Sequence, residues 1–186
     1  MKLLNLLLIV SIASSWVCTK VKFFVVERES ESLATIFNGV KRTNIPGMHN
    51  MNHGVVKFDG KDGYVISRDG FVVKFNPDSE KILAEYKTSK SAIGFVIGAI
   101  YVAVANYDDK SVDILDRDLK PLEKIQTGSK NVGIKTYENY LIFSQMDNDT
   151  ISVFKDMNGG KNKPNFKLFK EFKTVQLTLK TVTAEQ

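Results

Sequence analysis

Four stretches of this chain repeat one plan: a short apolar run, a charged or Asx-rich turn, and a second alternating run ending on an apolar residue. They read FFVVERESESLATIF, YVISRDGFVVKF, VAVANYDDKSVDIL and YLIFSQMDNDTISVF. Their last apolar residues are Phe37, Phe75, Leu115 and Phe154, so the steps are 38, 40 and 39 residues. A period near forty, built from strands, is what the blades of a β-propeller leave in a sequence. Blades bury their faces against neighbours in a ring of roughly 4–8. The repeat therefore predicts an all-β chain, a partial β-propeller with about four blade repeats of an eight-bladed ring, and two blade faces still to be covered. Either the chain is truncated or a second chain supplies the neighbours. A β-sandwich also spaces its strands at roughly 8–12 residues, but it does not produce a forty-residue superperiod with matched turns.

Within the second copy, Tyr64, Val65 and Ile66 precede Ser67-Arg68-Asp69-Gly70, and Phe71, Val73 and Phe75 alternate with Val72 and Lys74. An Asp-Gly pair between such runs is a strong hairpin signal. Asn76-Pro77-Asp78-Ser79 ends the strand, because proline cannot donate to a ladder and Asx residues favour turns. Lys81 to Thr88 then reads as an outer strand. The third copy follows the same order: Ile100 to Ala105, the turn Asn106-Tyr107-Asp108-Asp109, Ser111 to Leu115, and Leu122 to Gln126.

Residues 1–17, MKLLNLLLIVSIASSWV, place one lysine before a short apolar run and then small residues, the layout of a secretory signal peptide. Export is the expectation. Cys18 is the single cysteine, which leaves no internal disulfide and no cysteine-based metal cluster. Its place just past the apolar run leaves a lipid anchor open beside simple cleavage. The propeller part then spans 18–154, and 155–186 reads as an irregular or aberrant segment. Its end, FKTVQLTLKTVTAEQ, alternates like a strand but has no further copy of the repeat. The net charge of +5 is spread along the chain, the pattern of a solvated surface and not of a nucleic-acid partner. Membrane contact is expected only through Cys18.

Both histidines lie in Met48-His49-Asn50-Met51-Asn52-His53, the connection into the second blade. Histidine ligates metals and haem iron, and methionine is a soft copper ligand, so this segment is a candidate iron or copper site, or a loop with no such role. Arg68 and Arg28 occupy corresponding turns of the second and first copies, and Asn106-Tyr107 and Gln145 fill the same turn later. Arginine pairs bidentately with carboxylates, so these turns could clamp an acidic ligand along one rim, or simply pair with neighbouring Asp and Glu. Asp147-Asn148-Asp149 resembles part of a calcium loop but lacks the downstream Gly and Glu, and reads as a turn. No nucleophile elbow, phosphate-cradling loop or helical two-histidine zinc motif is present.

From about Val21 to Phe154, the order of His53-Gly54-Val55-Val56, Arg68-Asp69-Gly70, Ala92-Ile93-Gly94, Asn106-Tyr107 and Ser129-Lys130-Asn131-Val132-Gly133 resembles the cytochrome d1-type propeller family. Within it the chain is most similar to the haem d1 biosynthesis proteins of denitrification. The resemblance implies a periplasmic eight-bladed propeller that binds haem d1, or a sirohaem-derived iron tetrapyrrole precursor, in its mouth and acts late in haem d1 formation on propionate side chains. It implies His53 as iron ligand or catalytic base. It implies Arg28, Arg68, Asn106 and Tyr107 as cofactor-binding residues, with the arginines meeting the macrocycle's acidic groups. A homodimer or other haem d1 assembly proteins are the implied protein partners. The family's later blades have no counterpart here, which implies a truncated product. A non-catalytic repeat module binding metal or protein, and an inactive fragment, are the alternatives.

Overall fold

Alternating apolar and polar residues, punctuated by Asx, Gly and Pro, fold into strands that pair with their sequence neighbours throughout. The computed structural model describes residues 21–27, 30–37, 40–51 and 54–174. Among them are fifteen β-strands and no helix. The first sheet holds β1 (Lys22–Val26), β2 (Ser32–Phe37) and β3 (Val40–Pro46). The second runs β4 (Val55–Phe58), β5 (Gly63–Ile66), β6 (Phe71–Asn76) and β7 (Lys81–Lys87). The third runs β8 (Ala92–Ile97), β9 (Tyr101–Asn106), β10 (Ser111–Asp116) and β11 (Pro121–Gln126). The fourth runs β12 (Asn131–Tyr137), β13 (Tyr140–Gln145), β14 (Thr150–Asp156) and β15 (Phe166–Lys173). Every sheet is an antiparallel meander, so each is one propeller blade, and together they are the partial ring that the repeat demands.

The turns form where the sequence places them. In the blade-2 hairpin, Gly70 has φ +85°, and its N–H donates to Ser67 O at 3.2 Å. A Cβ at Gly70 would lie 2.4 Å from Ser89 O, so both the left-handed backbone and the close approach require glycine. Asn76 caps the next turn, its Oδ1 accepting from the N–H groups of Asp78 and Ser79 at 3.0 and 2.7 Å.

Three apolar clusters lie between successive blades. Leu33, Ile45, Met48, Met51, Val73 and Phe75 join blades 1 and 2, and Tyr64, Ile66, Phe95, Val102 and Leu115 join blades 2 and 3. Ala103, Val112, Ile114, Leu141 and Phe143 join blades 3 and 4. Because side chains alternate along a strand, one set of positions in each blade faces the preceding blade and the other set faces the following one.

One expectation is revised. The stretch after Phe154, read as irregular, contains β15, which pairs with β14 from Asp156↔Phe166 to Thr150↔Lys173 and completes blade 4. Asp156 organises the intervening loop, its carboxylate accepting from the N–H groups of Asn158, Gly160 and Asn165. The innermost strands β4, β8 and β12 lie outside the four repeat copies, which cover only the middle strands of each blade. The segment 1–17, Cys18, Arg28 and His53 lie outside the described residues.

Candidate functional site

The turns joining the second and third strands of each blade share an end with the connections that enter the innermost strands. One hydrogen bond repeats at this end of three blades: Arg68 N–H donates to Asn50 O at 2.7 Å, Tyr107 N–H to Ser91 O at 3.0 Å, and Met146 N–H to Lys130 O at 2.8 Å. Each turn is thereby tied to the connection beside it. The rim expected from the sequence forms as a set of backbone-locked loops.

On this rim Arg68, Lys90, Ser91, Ile93, Tyr107 and Asp108 line one cleft of about 340 Å³ between blades 2 and 3. Arg68 and Tyr107, paired on sequence grounds, are therefore brought together. Arg68 is exposed, and among the described residues no carboxylate lies within ion-pair distance of its guanidinium. Its sequence neighbour Asp69 is engaged elsewhere, accepting from Ser67 Oγ at 2.6 Å and Asn50 N–H at 3.3 Å. Burial opposes ionisation of Asp69, but the hydrogen bonds from Ser67 and the backbone, with His49 nearby, outweigh it and hold the carboxyl below its usual range. Lys90 is likewise exposed in the cleft. Tyr107 is oriented by its hydroxyl, which donates to Met146 Sδ at 3.3 Å, and by the Lys130 ammonium 4.9 Å from its ring centre. Asp108 is held by its N–H donating to Ser91 Oγ at 2.9 Å. Two cations without carboxylate partners, an aromatic ring and the Ile93 side chain can thus take an anionic group carried on an apolar body.

Asn106 does not face this cleft. It is fully buried, its Oδ1 accepting from Thr88 Oγ1 at 3.0 Å and its Nδ2 donating to Ser111 Oγ and Asp113 Oδ2 at 3.2 and 3.1 Å. Asn131 Nδ2 donates to the carbonyls of Asn106 and Ser111 at 3.0 Å each. The asparagine is therefore a fastener between the exit of blade 2 and the hairpin of blade 3. Gln145, at the equivalent place in blade 4, is also buried and donates to Thr127 O at 3.3 Å.

The histidine-methionine segment divides the same way. Met48 and Met51 are wholly buried in the core between blades 1 and 2, so their sulfur atoms are packing groups there and not surface copper ligands. His49 stacks flat on Phe71 with ring centres 3.6 Å apart, Nε2 lying 2.6 Å from Glu85 Oε2. His53 and Arg28, outside the described residues, keep the roles expected of them as sequence readings only.

Sequence reasoning named Ile93 and Asp108 only as parts of a motif and a turn, and did not pick out Lys90 and Ser91. A signal was available, since Ser89-Lys90 and Ser129-Lys130 both precede an innermost strand and recur at the blade period.

No family model and no curated protein matches the chain. Solved structures do. The chain is similar to the dihydro-haem d1 dehydrogenase NirN, solved in complex with DHE, with a TM-score of 0.66 and 22% identity over 79% of this chain. It is also similar to a functionally unknown protein from Desulfotomaculum acetoxidans, with a TM-score of 0.65 and 13% identity over 83% of this chain. The chain spans 34% of the first protein and 53% of the second. At these identities the likeness is one of fold, and that fold is the β-propeller.

Proposed function

We infer that this chain handles a tetrapyrrole of the haem d1 type, held by its acidic side chains at the rim between blades 2 and 3. The observation that carries the reading is the convergence of Arg68, Lys90 and Tyr107 on one cleft, two cations against the single acidic lining residue Asp108, with no described carboxylate at ion-pair distance of either cation. The fold shared with a dihydro-haem d1 dehydrogenase supports it. The residues fit such a group in kind: Arg68 and Lys90 suit carboxylates, and Ile93 and Tyr107 suit the edge of a flat apolar ring. On this reading His53 acts as iron ligand or catalytic base and Arg28 as a second carboxylate clamp. Asn106 acts behind the site by fixing the turn that carries Tyr107. The biological setting is late haem d1 biosynthesis after export to the periplasm, either enzymatic on propionate side chains or as a carrier. Other haem d1 assembly proteins or a second copy are its partners.

The test is a visible-absorption titration of the full chain with sirohaem. A saturable spectral shift is expected, with His53→Ala abolishing it and Arg68→Ala weakening it about tenfold, the loss of roughly one charge-assisted contact. An unchanged spectrum at micromolar sirohaem, or equal responses from the native chain and both variants, overturns the reading.

A further inference from the structure

A second cleft lies at the opposite end of the blades. It has a volume of about 230 Å³ and is lined by Lys57, Phe58, Val96, Ile97, Lys135 and Thr136. Lys57 and Phe58 end β4, Val96 and Ile97 end β8, and Lys135 and Thr136 lie near the end of β12. The innermost strands of three successive blades thus meet here. Ile93 in the rim cleft and Val96 here stand on the same strand, about 10 Å apart at roughly 3.3 Å per residue. The two clefts are separate sites on one inner surface.

Two lysines face this cleft, and Lys57 is half-buried. Lys22, Lys41, Lys74, Lys110 and Lys124 each have a carboxylate at ion-pair distance. Lys57 and Lys135 have none among the described residues, and they act on each other as like charges. The Lys57 ammonium donates to Phe95 O and lies 5.1 Å from the Phe95 ring centre, so among the described residues one of its three N–H donors is engaged. Burial, and then the Lys135 charge, push its pKa below the ordinary lysine value. Thr136 adds no free donor, since its hydroxyl donates to Tyr140 O at 3.2 Å and accepts from Tyr101 at 2.8 Å. The remaining walls, Phe58, Val96 and Ile97, are apolar.

We propose that Lys57 and Lys135 form a binding site for an organic oxyanion, a carboxylate or phosphate carried on an apolar body. The anion bridges the two ammonium groups and replaces their repulsion with two charge-assisted hydrogen bonds. The body packs on Phe58, Val96 and Ile97. The site is independent of the rim cleft and stands whether or not the rim holds a tetrapyrrole.

The test uses the full chain with ¹³Cε-labelled lysine, followed by NMR during titration with 3-phenylpropionate, phenyl phosphate and neutral 3-phenylpropanol. Saturable shifts of the Lys57 and Lys135 signals are expected with an anion and not with the alcohol. Lys57→Gln and Lys135→Gln should each weaken binding at least about tenfold, and Arg68→Ala should leave it unchanged. Response to one anion alone supports the site and identifies which acid it prefers. The proposal is overturned if neither anion moves these two signals, if the alcohol moves them equally, or if binding survives in the double Lys57→Gln, Lys135→Gln variant. The signals of the native chain answer the question even where a variant fails to fold.

Discussion

Arg68 and Asn106 occupy neighbouring positions of equivalent hairpin turns, yet one side chain points to solvent and the other is sealed inside. The difference follows from the pleat: Asn106 is the last residue of β9 and shares a face with Val102 and Val104, which pack on blade 2. Arg68 is already in the turn, where nothing covers it. Asn106→Ala should therefore lower stability by about 1–3 kcal/mol, because it leaves Thr88, Ser111 and Asp113 short of buried partners. Thermal unfolding measures this, whereas Arg68→Ala should leave the midpoint nearly unchanged. Gly70→Ala is expected to cost about 1–3 kcal/mol from its positive φ and its clash with Ser89 O. Arg68 was recognisable from sequence because turn chemistry is local. The burial of Asn106 was not, because it depends on a blade contributed by residues 18 positions away.

Between elements, polar clamps supplement the apolar clusters. Lys22 of β1 pairs with Glu80 in the turn between β6 and β7 and also donates to Pro77 O at 2.8 Å, while Thr43 of β3 donates to the same carboxylate. These bonds, from Lys22 first and then Thr43, hold the Glu80 carboxyl below the usual glutamate range. Its pKa is lower folded than unfolded, so its stabilisation is full above the unfolded value and fades as pH falls through the folded one. Glu80→Gln should flatten the decline in thermal midpoint on acidification through the carboxylate range, and equal slopes for both proteins would refute the clamp. Phe143, buried in the cluster between blades 3 and 4, should cost about 3–5 kcal/mol on replacement by alanine.

For the whole molecule, the two end blades are the informative ones. Ile142, Ile151 and Val153 of blade 4 sit where blade 3 has Ala103, Val112 and Ile114, which are buried against blade 4. In blade 4 those positions are only half covered. Phe23 and Val25 of β1 are 57% and 39% exposed on the first blade. Ile142→Lys should consequently cost only about 1 kcal/mol in the isolated chain. A loss comparable to that of Phe143→Ala would show that something packs on this face in solution.

The repeat length, the hairpin turns and the central strand pair of each blade were legible in the chain, because alternation and turn residues act over a few positions and strands within a blade pair with their sequence neighbours. β15 breaks the alternation, with Leu168 and Phe169 adjacent where its register against β14 shifts. Which polar residues stay at the surface was settled by blade stacking. The same packing drew Met48 and Met51 into the core, buried Asn106 and Gln145, and gathered Lys90 beside Arg68 and Tyr107. It also set Lys57 against Lys135 from blades far apart in sequence. A forty-residue period specifies each blade locally, but a cleft exists only where two or three blades meet, and that meeting depends on long-range burial that no single stretch of sequence contains.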